Sequence, residues 1–334
     1  ISACLVGSEM CIRDRDMIEN EFMMVSVLCQ TYNHEQYISE CLQSIVAQKV
    51  NFRYEILVHD DASTDNTANI IRKFEREYPD LIKPIYQEVN QWSLGNKVFS
   101  GIQLPRCTGK YIAICEGDDY WTDPLKLQKQ VDILEGNENI GLVYAKARVY
   151  LQSKCKYADD LFGEYRASLN EMIFKGNAIP TLTAMFRREI AVAFRQEFSQ
   201  TKGWKMGDYP LWLYIFGKYE VAFEDEVIGV YRMLENSASH LSSCKRNIRF
   251  SRNYFEIAYF FADYFGLNKS VYHHIKQSYF SYVVRLCIQK QYKQHVISRY
   301  LRRFYREKGP KILCLRVISM FGCGRFVLRY LYKH

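Results

Sequence analysis

No glycine-rich dinucleotide fingerprint follows the first apolar run of this chain, and no GxxxxGK[ST] phosphate loop occurs anywhere in its 334 residues. Dinucleotide oxidoreductases and P-loop nucleotidases are thereby disfavoured. Proline is scarce, at 7 residues, and neither a low-complexity run nor an internal repeat is visible. With 48% hydrophobic residues, the composition predicts a folded chain of one larger domain and an appended region. The eleven cysteines lack any CxxC or Cys/His metal spacing, so neither a zinc ribbon nor a disulfide framework is expected. Cys29, Cys41 and Cys115 fall at apolar positions and read as reduced, buried thiols, which fits a cytoplasmic protein. A long uninterrupted apolar run is also missing. Residues 313–332 are apolar but carry Arg316, Arg325 and Arg329, which argues against a spanning helix. Residues 1–16 resemble translated sequencing-adapter sequence and are read as non-native, with the biological start expected at Met17, Met23 or Met24. No secretory signal is expected there, because the apolar stretch is too short and no basic segment precedes it.

What the chain does contain is an alternation of strand-like and helix-like segments. Residues 25–29 (VSVLC) form a first buried strand, followed by Gln30, Thr31, Tyr32 and Asn33. Ile38, Cys41, Leu42, Ile45 and Val46 then recur at the spacing of one helix face. A second strand, 54–59, leads through residues 60–65 into a helix faced by Thr67, Ile70, Ile71 and Phe74, with Ser63 or Asp65 able to cap it. Strands at 82–86 and 111–115, a helix at 125–135 and a strand at 141–145 complete a β-α-β pattern. Right-handed crossovers then predict a mostly parallel, Rossmann-like sheet with helices on both faces. Shorter strands are expected at 181–186, 220–223 and 227–231.

Two strands end in acids. Residues 111–121 (YIAICEGDDYW) run from an apolar strand into Glu116, Gly117, Asp118 and Asp119, and residues 54–59 (YEILVH) deliver Asp60 and Asp61. In an open α/β sheet the ligand crevice lies beyond the carboxyl ends of the strands, so a divalent ion and a phosphorylated ligand are the natural occupants. A third acid, Asp208, stands in MGDYPLWL ahead of an apolar run. Each acid also has an ordinary local reading as a helix cap or turn residue. Lys97 is a candidate phosphate contact, with a solvated lysine as the competing reading. Trp121 and Trp212 read as packing residues rather than sugar-stacking platforms.

Five segments in order resemble the inverting family 2 glycosyltransferases of the GT-A fold, particularly bacterial members that build surface polysaccharides. They are VSVLCQTYNHEQYISECLQSI, YEILVHDDASTDNTANII, TGKYIAICEGDDYWTDPLKLQKQVDIL, MGDYPLWL and VYRMLENSASH. The resemblance covers residues 24–240 and implies a catalytic domain over 17–240, with a nucleotide-binding half at 24–150 and an acceptor half at 150–240. It implies that Tyr32 and Asp61 help hold the base and ribose of a nucleotide-sugar, UDP-linked by expectation, while Thr31, Asn33 and Asp60 shape the same turns. Glu116, Gly117 and Asp118, with Asp119 adjacent, match the metal motif for Mg²⁺ or Mn²⁺. The first acid departs from the usual Asp-X-Asp form, and whether Asp118 or Asp119 is the direct ligand stays open. Asp208 matches the catalytic base. His240 lies where some relatives supply a further metal ligand, but it reads as a surface or satisfied histidine.

The chemistry of glycosyl transfer gives those acids work. A cation neutralises the leaving nucleoside diphosphate, and a carboxylate away from it takes the proton of the attacking hydroxyl. One base suffices for a single displacement with inversion. A sugar-nucleotide pyrophosphorylase would show a Gly-rich, Arg- and Lys-containing loop where this chain has QTYNHE. A non-catalytic nucleotide- or glycan-binding relative is the other alternative, and the joint presence of Asp61, Asp118, Asp119 and Asp208 weighs against it.

Residues 245–334 hold nineteen Lys or Arg against three acids, whereas the remainder is acidic on balance. This region reads as a helical, basic, aromatic tail. Within RYLRRFYREK, at 299–308, Arg299, Arg302, Arg303 and Arg306 share one helical face, opposite Tyr300, Leu301, Phe304 and Tyr305. That design suits peripheral contact with an anionic membrane through 299–332, where a lipid-linked saccharide acceptor would lie on the cytoplasmic face. No nucleic-acid motif is present, and none is expected as a partner.

Overall fold

Alternating apolar runs and amphipathic stripes place this chain's core on both faces of one sheet, as the computed structural model shows. It describes residues 22–201, 203–234 and 244–289, and the chain divides into two compact units, residues 1–235 and 236–334. The adapter-like segment, His240 and the 299–332 amphipathic stretch lie outside the described residues.

In the first unit, β1 (Met23–Thr31), β2 (Arg53–Asp60), β3 (Ile82–Tyr86) and β4 (Tyr111–Ile114) are parallel, in the order β3-β2-β1-β4. The central residues of β1, β2 and β4 are almost wholly buried because helices cover the sheet, as continuous Val/Ile/Leu runs require, whereas the edge strand β3 is partly exposed. Helix α1 (Ile38–Val46) seals one face with Ile38, Cys41, Leu42 and Ile45, each fully buried. Each such aliphatic side chain contributes about 1.5–3 kcal/mol. Helix α2 (Thr67–Glu77) buries Thr67, Ile71 and Phe74. Asp65, one of the two expected caps, accepts the Thr67 N–H at 3.0 Å.

The other half departs from a parallel design. Beyond β4 the sheet continues through β8 (Met185–Arg187), β6 (Ile140–Leu151), β9 (Glu220–Met233) and β5 (Tyr120–Trp121). Here β8 is antiparallel to both β4 and β6, β5 is antiparallel to β9, and only β6 and β9 run parallel. A polar edge strand, β7 (Lys156–Phe162), pairs with β6. The two short strands expected at 220–223 and 227–231 are one strand, β9, whose pairing with β6 slips between Glu224 and Val227. The strand expected at 181–186 is a 3₁₀ turn, Thr181–Thr183, leading into β8. Helices α3 (Lys126–Gly136), α4 (Leu169–Lys175), α5 (Arg188–Glu197) and α6 (Tyr209–Lys218) complete the unit. Trp121 and Trp212 pack as expected: Trp121 Nε1 donates to the Leu182 carbonyl at 2.7 Å, and the Trp212 ring meets Phe186 edge-on.

The second unit contains α7 (Cys244–Tyr264) and α8 (Lys269–Gln289). Ring contacts of Tyr259 with Tyr272 and of Phe255 with Tyr279 run in opposite directions along the two helices, so they form a hairpin. Gly266, at φ +60°, supplies the left-handed turn between them. Among the described residues no helix is long and apolar enough to cross a membrane.

Candidate active site

The turns after β1 and β2 are laced together. Asn33, itself in the left-handed region at φ 55°, donates its N–H to Ser63 Oγ at 2.9 Å and accepts the Thr64 N–H at 2.8 Å. His34 N–H donates to Thr67 Oγ1 at 2.8 Å, Glu35 N–H to Asp65 Oδ2 at 3.1 Å, and Asn66 N–H to Glu35 Oε2 at 2.9 Å. Asp60 is buried and accepts the Ser63 hydroxyl. Tyr32 stands 44% exposed at this rim.

Asp61 anchors a second loop. Its backbone N–H donates to the Thr31 carbonyl at 3.0 Å, while its carboxylate accepts the N–H groups of Gln91 and Trp92 at 2.7 and 3.0 Å. Asn90 closes the same loop onto the Asp61 carbonyl and onto Ser93 N–H. Trp92 is thus held 62% exposed on a fixed loop. Lys97 follows it, its ammonium donating to the Thr201 carbonyl at 3.0 Å.

The acidic turn is delivered by a continuation of the β1–β4 pairing. Cys115 N–H donates to the Leu28 carbonyl and Gly117 N–H to the Gln30 carbonyl, which carries Glu116, Gly117 and Asp118 beside Thr31. Gly117 must lack a side chain: a Cβ there would meet Thr31 Oγ1 at 2.7 Å and His34 Nδ1 at 3.0 Å. Those two atoms are buried without a hydrogen-bond partner among the described residues. His34 Nδ1 lies 4.0 Å from Asp118 Oδ1.

The four acids do different things. Asp119 is buried, and its Oδ1 accepts the Arg232 N–H at 2.7 Å, whereas the Asp118 side chain keeps 16% of its surface exposed. Burial, reinforced by the Asp118 and Glu116 charges, pushes Asp119 well above the usual carboxylate range. Burial, then the Asp118 and Asp208 charges, push Glu116 up to about 8. The Asp208 charge thus bears on Glu116, although the two are distant in sequence. Asp208 precedes α6 without capping it; its Oδ2 accepts the Thr181 hydroxyl at 3.2 Å instead. Thr181 and Arg232 were not singled out from sequence, because each acts across the fold; Arg232 does lie in VYRMLENSASH.

Crowded carboxylates whose charge is disfavoured by one another fit a hard divalent cation. Among the described residues no three His, Cys, Asp or Glu side chains are arranged to hold a metal alone. Mg²⁺ at phosphate sites generally needs only one or two carboxylates, with phosphate and water completing the shell.

A parallel half-sheet whose strand ends carry acidic turns, joined to a mixed half that brings a further carboxylate alongside, defines a GT-A-type α/β protein. The chain belongs to glycosyl transferase family 2, whose model matches residues 26–194. It is 28% identical to the putative teichuronic acid biosynthesis glycosyltransferase TuaG of Bacillus subtilis, over 65% of this chain and 81% of TuaG. It spans about half the length, 47%, of curated mycobacterial relatives with which it shares 36% identity over 166 residues. Its fold is similar to S. aureus TarS 1–349 in complex with UDP, at a TM-score of 0.51 and 15% identity, covering 89% of this chain and 78% of that one. It is likewise similar to the Pyrobaculum calidifontis mannosyltransferase PcManGT in complex with GDP-Man and Mn²⁺, at a TM-score of 0.50 and 15% identity, covering 97% and 91%. As expected from its sequence motifs, the chain is a member of glycosyl transferase family 2 with the GT-A fold.

Proposed function

We propose that this glycosyltransferase moves a hexosyl or similar sugar from a UDP-linked donor to a hydroxyl of a glycan or lipid-linked saccharide, in a divalent-metal-dependent single displacement with inversion. The observation that carries this reading is that Asp208, on a separate element and held by the Thr181 hydroxyl, bears its charge on Glu116 of the acidic turn. The laced turns bearing Thr31, Tyr32, Asn33 and Asp60 form the nucleotide rim. Asp61 acts there by fixing the loop that presents Trp92, and Lys97 borders the same loop. Asp118 is the acid that reaches a cation, because its side chain keeps some exposure whereas Asp119 is buried with Oδ1 on the Arg232 N–H. A bound Mg²⁺ or Mn²⁺ supplies charge neutralisation at the leaving diphosphate. Glu116, in the same turn as Asp118, is assigned to the nucleotide-sugar donor.

Asp208 is the general base. Thr181 holds its carboxylate by one oxygen, so that the carboxylate accepts the acceptor's hydroxyl proton as the hydroxyl oxygen bonds to the anomeric carbon and the bond from that carbon to the nucleoside diphosphate breaks. The described site presents one such base apart from the acidic turn, the number that inversion needs. TuaG and the complexes of TarS and PcManGT support a nucleotide-sugar donor and a surface-polysaccharide setting. The basic segment 299–332 is proposed to contact anionic lipid on the cytoplasmic face, where a lipid-linked acceptor is presented.

Calorimetric titration of the full chain with UDP and GDP, in Mn²⁺ and in chelator, tests the donor site. Metal-dependent binding of UDP, abolished in Asp118→Asn/Asp119→Asn, is expected. Failure of both nucleotides to bind under every condition would refute the assignment and leave the non-catalytic alternative.

A further inference from the structure

Arg232 grips the acidic turn at two points. Its backbone N–H donates to Asp119 Oδ1 at 2.7 Å, and its guanidinium Nε donates to the Asp118 carbonyl at 2.8 Å. The peptide joining Asp118 to Asp119 cannot rotate without breaking one of these bonds. The rest of the guanidinium is fixed as well. Nη2 pairs with Glu40 at 2.5 Å, Nη1 reaches Gln152 Oε1 at 3.5 Å, and the rings of Tyr37, Tyr120 and Tyr150 stand 4.9, 5.2 and 5.7 Å from its carbon. With 10% of its side chain exposed, this is a caged cation.

The cage is more than β9 needs. That strand is already paired with β6 as far as Met233, and with β5 through Val230 and Gly229. Extending the β5–β9 register by two residues sets position 232 opposite 118, so the arginine meets the turn where the ladder ends. A planar guanidinium can hold one carbonyl along Nε while its other nitrogens are occupied, which an ammonium cannot do.

We infer that Arg232 is a positioning residue that aims the Asp118 carboxylate for cation binding by locking the Asp118–Asp119 peptide. The inference rests on the reading of Asp118 as the metal-facing acid. It assigns Arg232 no contact with substrate. Outer-shell partners of this kind change metal affinity by about 10- to 100-fold when removed.

Mn²⁺ binding to the full chain, followed by the electron paramagnetic resonance signal of free Mn²⁺ in the presence of UDP, tests it. Arg232→Gln is expected to weaken Mn²⁺ binding about 10- to 100-fold. Arg232→Lys should resemble it, because the charge survives but the Nε donor does not. Glu40→Gln, which removes only an exposed ion-pair partner, should bind Mn²⁺ like the wild type. UDP affinity in chelator should be the same in all four proteins, a result that general loosening of the fold would not give. Wild-type Mn²⁺ affinity in both arginine variants overturns the inference while leaving the donor site intact. A wild-type protein that binds no Mn²⁺ overturns the donor-site reading and this inference together. Should Arg232→Gln fail to fold by circular dichroism, Arg232→Lys decides.

Discussion

Thr181 Oγ1 donates a hydrogen bond to Asp208 Oδ2 at 3.2 Å, joining the 3₁₀ turn before β8 to the residue that opens α6. Asp208 is thereby oriented by a side chain from a different element, and its carboxylate is not used as a helix cap. Asp208→Asn is predicted to lower transfer by about 10²- to 10⁴-fold while leaving UDP binding unchanged. Thr181→Val should lower transfer about tenfold, the effect of about 1.5 kcal/mol from one hydrogen bond to a charged group. Steady-state transfer rates beside calorimetric UDP affinities check both.

Gly117→Ala tests the fit of the acidic turn against the β1 exit. The new Cβ would lie 2.7 Å from Thr31 Oγ1 and 2.8 Å from Thr31 Cβ, and the turn's backbone pairing leaves it little room to retreat. A loss of about 1–3 kcal/mol in stability is expected, with weaker metal-dependent UDP binding. Denaturant unfolding and calorimetry measure the two effects.

Asp61→Ala should release the loop that carries Trp92. Both carboxylate oxygens of Asp61 accept backbone N–H groups from it, at 2.7 and 3.0 Å. Amide hydrogen exchange at residues 90–96 is expected to accelerate, and UDP affinity to fall. Unchanged exchange would contradict the anchoring role.

Glu55 gives the fold a pH dependence on the acid side. Burial works against its charge, but hydrogen bonds from Thr108, Lys83 and Ser26 outweigh that and hold it below its ordinary value of 4.5. A carboxylate lowered on folding adds stability above its unfolded pKa and loses it as pH falls through the folded one. Glu55→Gln should cost about 1–3 kcal/mol at neutral pH, and the gap from wild type should close below about pH 4. Urea unfolding across pH 3–7 reads it.

Lys126 works in the opposite sense. It is fully buried, donating to Gln130 Oε1 at 2.9 Å and facing the Trp121 ring at 4.3 Å, and burial lowers it from 10.5 to about 7. Between about pH 7 and 10 the unfolded chain therefore holds a proton that the folded one lacks, so this residue makes stability rise with pH over that window. The melting temperature of wild type relative to Lys126→Met should increase from pH 7 to 9.5. A constant difference would contradict a buried, titrating lysine.

The parallel half was legible because each of its strands is a short apolar run and α1 and α2 carry clean helical stripes. Residues 82–86 were placed to the residue, and β1 and β2 differ from expectation only at their ends. The mixed half was not. Strand β7 (KYADDLF) is a polar edge without alternation, β5 has two residues, and β9 bends past Glu224 where a break had been expected. Acid positions at strand ends were readable, but their division of labour was not. Asp119 and Arg232 are 113 residues apart, and Thr181 and Asp208 are 27 apart, so only the folded chain shows which carboxylate is spoken for. Lys126 carried no signal either, since a lysine in the first turn of a helix ordinarily points to water.

The division between a metal-facing acid and a separate base is tested most directly by measuring UDP affinity in Mn²⁺ and in chelator for wild type, Asp118→Asn and Asp208→Asn side by side. Wild type and Asp208→Asn should bind UDP alike and more tightly in Mn²⁺ than in chelator, with Asp118→Asn held at the chelator level in both. Equal affinity with and without metal in the wild type, or loss of binding in Asp208→Asn equal to that in Asp118→Asn, would contradict it.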